Sequence, residues 1–219
     1  MATISCNAGL SFEADPAKTA MIVIDLQRDF LEPGGMVAAL GDDIAPMRAI
    51  IPNAVSLISA ARAAGLMLVH TREGYAPDLS DMHRLKRDRN VAGRDGPLGR
   101  FLIRGEPGQD HIAECRPAEG ETVLDKPGFG SFYRTDLEDR LNARGIDSLI
   151  LFGVTTQCCV ASTLREAVDR GFRCLTVEDA CAATTPALHE AAISVIYGEN
   201  NLFGWVSDTG RVVQGLEPA

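Results

Sequence analysis

The chain has no long hydrophobic run, few aromatic residues and only three lysines among its 219 residues. A membrane-spanning helix needs roughly 18 or more consecutive apolar residues, and no segment approaches that length. Residues 1–17 also lack Lys and Arg, and they lack the apolar core that a secretory signal contains. These absences predict a cytoplasmic protein with no membrane partner.

Positive charge is scarce, with 21 Lys and Arg against 30 Asp and Glu and a net charge of −9. Affinity for nucleic acid comes from clustered Lys and Arg that contact phosphates. The composition therefore predicts that no nucleic acid is a partner.

Metal ligands and disulfides are not indicated either. Only four histidines are present, and their spacing is unlike that of zinc or iron sites, so we predict no metal. Cytosolic thiols stay reduced, and the six cysteines are irregularly spaced, so they do not form a disulfide framework. We expect most of them to pack as small core residues.

Short apolar runs alternate with helical patterns along the chain. The runs have the length of strands that are buried on both faces of a parallel sheet, and they lie at 21–24, 66–69, 121–124, 148–154 and 174–177. Helical patterns lie at about 47–64, 135–144, 157–170 and 185–198, the second opened by a capping box at Thr135. This order predicts a three-layer α/β fold in a single domain, residues 1–219.

One stretch, at about 73–109, breaks this alternation. It is rich in charge, Gly and Pro and shows little periodicity. A loop of this length in a compact domain usually serves as a lid, a binding loop or a subunit contact. We expect a lid or binding loop, and a solvated insertion is the open alternative.

Polar residues follow three of the apolar runs, where the strands are expected to end. Asp25 follows the first run, Lys126 follows the run at 121–124, and Cys159 comes shortly after 148–154. Ligands of open parallel sheets bind at the carboxyl ends of the strands, so these side chains are expected to converge.

Cys159 is a candidate nucleophile because it would lie in the first turn of a helix, where unpaired N–H groups favour a thiolate. A nearby Lys126 ammonium would lower the thiol pKa further. Asp25 could take the thiol proton, and backbone N–H groups at Thr155 and Cys159 could form an oxyanion hole. A buried Cys more often packs, and an Asp after a first strand can bind Mg²⁺, but the three together predict acyl transfer.

Three segments around these residues, at 23–30, 125–132 and 153–160, resemble the signature segments of the isochorismatase-like cysteine hydrolases. The resemblance implies a doubly wound sheet of about six parallel strands with helices on both faces. It also implies a catalytic triad of Cys159, Asp25 and Lys126, a cis peptide before Thr155, no cofactor, and a homo-oligomer, either a tetramer or a dimer.

Within this family, the segments at 70–79, 104–108 and 125–132 are similar to biuret and triuret hydrolases. Those enzymes have a Lys and a Gln where this chain has Phe129 and Glu199. Losing a cation and gaining a carboxylate predicts a pocket that disfavours anions and accepts N–H donors. We therefore predict a small neutral ureide, triuret or biuret, as substrate, with further contacts from Phe30, Arg72 and Thr156.

Other functions are weaker predictions. Ureidoacrylate amidohydrolases share the triad and the closing segment at 203–207, so a ureidoacrylate or N-carbamoyl amidohydrolase is the alternative. A nucleotide-dependent oxidoreductase would need a glycine fingerprint after the first strand, which is missing. A catalytically silent binding protein on the same fold is the alternative outside enzymes.

Overall fold

The computed structural model of the protein describes residues 1–89 and 91–217. Its strands are β1 Ala2–Ser5, β2 Ser11–Ala14, β3 Thr19–Ile24, β4 Met67–Glu73, β5 Asp95–Gly96, β6 Gly99–Arg100, β7 Thr122–Lys126, β8 Ser148–Val154, β9 Arg173–Ala182 and β10 Trp205–Ser207.

The α-helices are α1 Arg28–Leu31, α2 Met36–Ala39, α3 Ala45–Arg48, α4 Ile51–Ala64, α5 Arg84–Arg89, α6 Leu137–Ala143, α7 Ala161–Asp169, α8 Pro186–Asn201 and α9 Thr209–Leu216. A π-helical turn spans Thr156–Val160, and short 3₁₀ turns span Asn7–Gly9, Pro107–Gln109 and Ala113–Cys115.

Six parallel strands form the central sheet in the order β10-β9-β8-β3-β4-β7. Every residue of β3 and β8 is buried, as expected for strands covered on both faces. The chain winds outward from β3 to β4 and β7, and then returns to the other side of β3 to form β8, β9 and β10. This confirms the doubly wound parallel sheet, and the winding reverses between β3 and β8, where such sheets bind ligands.

Two helix pairs pack around the sheet. Helices α4 and α9 contact each other and strand β9, while α7 and α8 pack near β9 and the π-helical turn. Helix α4 ends at Gly65, whose φ of +72° is the left-handed conformation that glycine adopts at low cost. None of the helices in the described part of the chain has the length and apolarity needed to cross a membrane.

The sequence predictions miss both ends of the chain and some boundaries. The hairpin of β1 and β2, strand β10 and helix α9 were not predicted, and β4 extends four residues beyond the run at 66–69. The capping box at Thr135 is wrong, because its hydroxyl donates to the Ser131 carbonyl at 2.6 Å and α6 begins at Leu137.

The stretch at 73–109 is not a solvated insertion. It contains α5 and the small hairpin of β5 and β6. Its apolar side chains enter the core, and five of them are at most 5% exposed: Tyr75, Met82, Phe101, Leu102 and Ile103. The Asp29 carboxylate, in α1, accepts a hydrogen bond from the Leu102 N–H at 2.7 Å. The stretch is therefore packed onto the carboxyl edge of the sheet, and its action as a lid stays a prediction.

Candidate active site

Asp25 lies directly after β3 and is completely buried. Its φ of +53° is unusual for a residue other than glycine, and such strain is found most often at functional sites. The Thr71 hydroxyl donates to its Oδ1 atom at 2.7 Å, and Lys126 Nζ lies 2.7 Å from its Oδ2 atom. The carboxylate is therefore fixed in orientation and paired with a cation.

Lys126 is the last residue of β7 and is also completely buried. Besides its ion pair with Asp25, its Nζ donates to the carbonyls of Gly128 and Phe129, each at 2.9 Å. Burial acts to lower the pKa of Lys126, but the neighbouring Asp25, Cys159 and Glu73 outweigh burial and raise the pKa above its usual value. The ammonium is thus a permanent charge of the site.

Cys159 lies in the π-helical turn that joins β8 to α7, at the switch point of the sheet. The carbonyl of Thr155 accepts from the N–H groups of Cys158 at 3.1 Å and Val160 at 3.2 Å. The peptide bond that precedes Thr155 is cis, as the resemblance implies. Strand β8 packs against β3 at a point where only glycine fits. This is position 153, where a Cβ would lie 2.0 Å from the Ile24 carbonyl oxygen.

The thiol of Cys159 differs from the sequence expectation in its acidity. A hydrogen bond with Cys158, burial and the carboxylates of Asp25 and Glu73 raise the pKa of Cys159 well above its usual value, although Lys126 opposes them. The expected lowering of the pKa is wrong chiefly because the hydrogen bond with Cys158 and burial of the thiol outweigh the effect of Lys126. Cys159 is therefore a neutral thiol at rest, and its proton must move to a neighbouring base during a reaction.

Glu73 is the functional candidate that the sequence analysis missed. It is the last residue of β4, at the same edge of the sheet at which Asp25 follows β3. Its side chain is 3% exposed, and its Oε2 accepts a hydrogen bond from Cys159 Sγ at 3.7 Å. Its Oε1 accepts from the Tyr75 hydroxyl at 2.6 Å and from Lys86 Nζ at 2.7 Å. Extending the second predicted strand to residue 73 would have found it.

Electrostatics keep Glu73 ionised in this buried position. Burial acts to raise the pKa of Glu73, but Lys126, Lys86 and the hydrogen bonds from Lys86 and Tyr75 outweigh burial and lower the pKa below its usual value. The site thus combines two carboxylates, two ammonium groups and a thiol.

Lys86 changes the charge expected around Phe129. It comes from α5, and its Nζ lies 3.8 Å from the centroid of the Phe129 ring and 4.9 Å from that of Tyr75, within the range of cation–π contacts. The prediction of a pocket without a second cation is wrong, because a lysine distant in sequence supplies the ammonium that position 129 lacks.

Among the described residues, no side-chain hydrogen bond or ion pair links the other predicted substrate contacts to the triad. Arg72 is on the opposite side of β4 and binds Asp125 through Nε at 2.8 Å. Thr156 is buried in the π-helical turn with its hydroxyl 2.9 Å from His189 Nδ1, and Phe30 is buried in α1. Glu199 is exposed in a left-handed stretch of backbone, and no hydrogen bond or ion pair of the described residues links it to the triad.

Three donor atoms of the site come near enough to consider a metal ion. One atom each from Asp25, Glu73 and Cys159 lie within 4.8 Å of one another. However, each carboxylate already has an ammonium 2.7 Å away, Lys126 on Asp25 and Lys86 on Glu73. A divalent cation would be repelled by both, so the residues fit proton transfer and nucleophilic attack better than metal binding.

Comparisons with known proteins agree with this geometry. Residues 19–211 match the isochorismatase domain family. A ureidoacrylate amidohydrolase, RutB, from Klebsiella pneumoniae subsp. pneumoniae is 31% identical over 212 residues, covering 93% of this chain and 89% of its own.

Two solved structures are also similar. A cysteine hydrolase from Pseudomonas syringae pv. phaseolicola is 27% identical with a TM-score of 0.82, covering 94% of this chain and 95% of its own. An N-carbamoylsarcosine amidase from Thermoplasma acidophilum is 27% identical with a TM-score of 0.68, covering 88% and 96%. These relatives favour the alternative prediction, a ureidoacrylate or N-carbamoyl amidohydrolase, over a biuret or triuret hydrolase.

Proposed function

This chain belongs to the isochorismatase family as a hydrolase of carbon–nitrogen bonds in linear amides, and on that premise we propose that it cleaves small N-carbamoyl compounds of the ureidoacrylate type. One observation carries the proposal: a thiol, a carboxylate and an ammonium, from Cys159, Asp25 and Lys126, meet in one buried cluster at the switch point of the sheet.

The first half of the proposed reaction forms a thioester. The Cys159 proton moves to Asp25, and the thiolate attacks the carbonyl carbon of the carbamoyl group. The resulting oxyanion binds backbone N–H groups at Thr155 and Cys159. When the intermediate collapses, the C–N bond to the terminal nitrogen breaks, and that nitrogen takes the proton from Asp25 and leaves as ammonia. The internal nitrogen stays on the carbon, in a carbamoyl thioester.

The second half of the proposed reaction hydrolyses the thioester and frees Cys159. A water molecule gives a proton to Asp25 and adds to the thioester carbon, and the C–S bond then breaks. The proton on Asp25 returns to the Cys159 sulfur. The product is the carbamic acid of the nitrogen that stayed, whose loss of carbon dioxide gives the amine, and no cofactor is consumed.

The charge balance of the site supports an acidic ureide. The carboxylates of Asp25 and Glu73 are matched by the ammonium groups of Lys126 and Lys86. Moving the thiol proton to Asp25 leaves that balance unchanged, so a substrate carboxylate meets no net negative charge within this cluster.

A neutral ureide such as biuret or triuret is the second candidate. The carboxylate of Glu73 favours it, because biuret and triuret offer several N–H donors and no negative charge.

The test is ammonia release from ureidoacrylate, N-carbamoylsarcosine, biuret, triuret and nicotinamide, measured side by side. We expect ureidoacrylate or N-carbamoylsarcosine to react fastest and the Cys159→Ser variant to fall to background, since a serine hydroxyl is far less acidic than a thiol. Faster release from nicotinamide, or near-normal turnover by the variant, would contradict the proposal.

A further inference from the structure

Glu73 uses its two oxygens differently. Oε1 accepts from both Tyr75 and Lys86, which fixes the plane of the carboxylate. Oε2 faces the Cys159 sulfur at 3.7 Å and, among the described residues, has no other hydrogen-bond donor. One oxygen therefore anchors the side chain, and the other points at the nucleophile.

The reaction removes the one hydrogen-bond donor that Oε2 has among the described residues. Once the Cys159 proton has moved to Asp25, a thiolate and a carboxylate oxygen lie next to each other inside the protein. A buried acceptor without a donor is costly, and more so when it is charged. The group that next arrives beside the sulfur is the substrate, so the substrate must supply the missing hydrogen.

Ureides differ from ordinary carboxamides in this respect. The carbonyl of a ureide carries two nitrogens, so one nitrogen, with its N–H, stays on the carbon after the other has left. A carboxamide carries a single nitrogen, which is the leaving group, and a carbon without a polar hydrogen stays behind.

We propose that Glu73 is a specificity-determining residue, whose Oε2 accepts the N–H of the substrate nitrogen that stays on the attacked carbonyl carbon. This inference rests on the proposed function and deepens it. It explains why a second buried carboxylate is held against the nucleophile, where it would otherwise only hinder thiolate formation.

The experiment compares each ureide with a carboxamide in which CH₂ replaces the internal NH. Suitable pairs are biuret with malonamide and N-carbamoylglycine with succinamate. The enzymes are the wild type, Glu73→Gln and the matched control Glu121→Gln. Glu121 contacts His70 on the side of β4 that faces away from the thiol. The measured quantity is the ratio of kcat/KM between the two members of a pair.

The wild type should prefer the ureide, and Glu73→Gln should reduce that preference by roughly tenfold to a hundredfold, the value of one hydrogen bond to a charged group. The reason is geometric. Tyr75 and Lys86 will hold the Gln oxygen in the place of Oε1, so the Gln NH₂ takes the place of Oε2 and faces the substrate N–H as a second donor. Glu121→Gln should keep the wild-type preference.

Binding to Cys159→Ala protein, with and without Glu73→Gln, gives the same comparison without turnover and covers the case of a carboxamide that reacts too slowly. Equal losses for both members of a pair would overturn the inference, since a base or a structural group affects them alike. A wild type that neither hydrolyses nor prefers any ureide would overturn the proposed function and the inference with it.

Discussion

The two faces of strand β4 both carry buried polar side chains, but the groups they contact differ. Thr71 and Glu73 face the site, where they contact Asp25 and the Cys159 thiol. His70 faces the other way, and its Nε2 lies 2.8 Å from Glu121. Successive side chains of a strand point to opposite faces of the sheet, so four consecutive residues of β4 contribute to a reactive cluster on one face and a structural cluster on the other.

We call the side of β4 that carries Thr71 and Glu73 the active face and the side that carries His70 the structural face. On the structural face, the charged groups are held by fixed partners. Arg62 binds both oxygens of Glu121, at 2.7 and 3.0 Å, and this hydrogen bonding lowers the pKa of Glu121 to about 2. Burial lowers the pKa of His70, so it stays neutral although it contacts a carboxylate. On the active face, by contrast, two carboxylates share one exchangeable thiol proton. Each carboxylate of the active face also has a fixed cation, so the difference between the faces is the thiol, whose proton can leave during a reaction.

The largest effect should come from replacing the cation of the active face. Lys126→Met leaves the Asp25 carboxylate buried without its partner, which costs about 3–5 kcal/mol of unfolding free energy, and activity should fall by about a thousandfold. Urea unfolding and ammonia release measure the two effects.

Lys18→Met is the matched control for that prediction. Lys18 is exposed, and its substitution should change the unfolding free energy by less than about 0.5 kcal/mol. If the two variants unfold at the same urea concentration, Lys126 does not hold the buried charge together as argued.

The structural face should instead control stability in mild acid. Burial, with help from His70 and Arg72, lowers the pKa of His111 to about 4. The unfolded chain binds a proton near pH 6.5 and the folded protein does not, so stability is lost as pH falls from about 6.5 to 4, by up to roughly 3 kcal/mol.

His111→Asn should flatten that pH dependence, because an amide does not titrate in this range. Urea unfolding at pH 4.5, 5.5 and 7 measures the slope, and the ring of His70, 5.7 Å from that of His111, contributes the part that persists. An unchanged slope would mean that His111 is protonated in the folded protein.

The sequence predicts the sheet and the proximity of Asp25, Lys126 and Cys159 well because both depend on local patterns, while the catalytic roles of these residues stay predictions. Fully buried strands appear as continuous apolar runs, and the residues that follow them in a parallel sheet must meet at one edge. Asp25, Lys126 and Cys159 were found in this way. The ends of the chain were missed because β1, β2 and β10 are short and their burial depends on partners distant in sequence.

Glu73 and Lys86 are harder to place from local patterns than the triad residues are. The apolar run of β4 ends at Val69, and the polar residues that continue the strand look like the start of a loop. Lys86 reaches the site only through the fold of the segment that carries α5. Its contacts are with Glu73 and Tyr75, earlier in the chain, and with Phe129, which follows β7. The charge of the pocket was misjudged for that reason.

Arg72 provides the finest test of the comparison, because it lies one residue from Glu73 in sequence and on the other side of the strand. It is partly exposed and paired with Asp125, and an ion pair of this kind contributes less than about 1 kcal/mol. Arg72→Gln should therefore lower stability slightly and leave KM and kcat for the best ureide unchanged, whereas Glu73→Gln should raise KM or lower kcat for that ureide. Steady-state kinetics on both variants measure these effects. A rise in KM with Arg72→Gln alone would support the substrate-binding role of Arg72 that is predicted from the sequence. It would also show that the two faces of β4 are not separated as the contacts indicate.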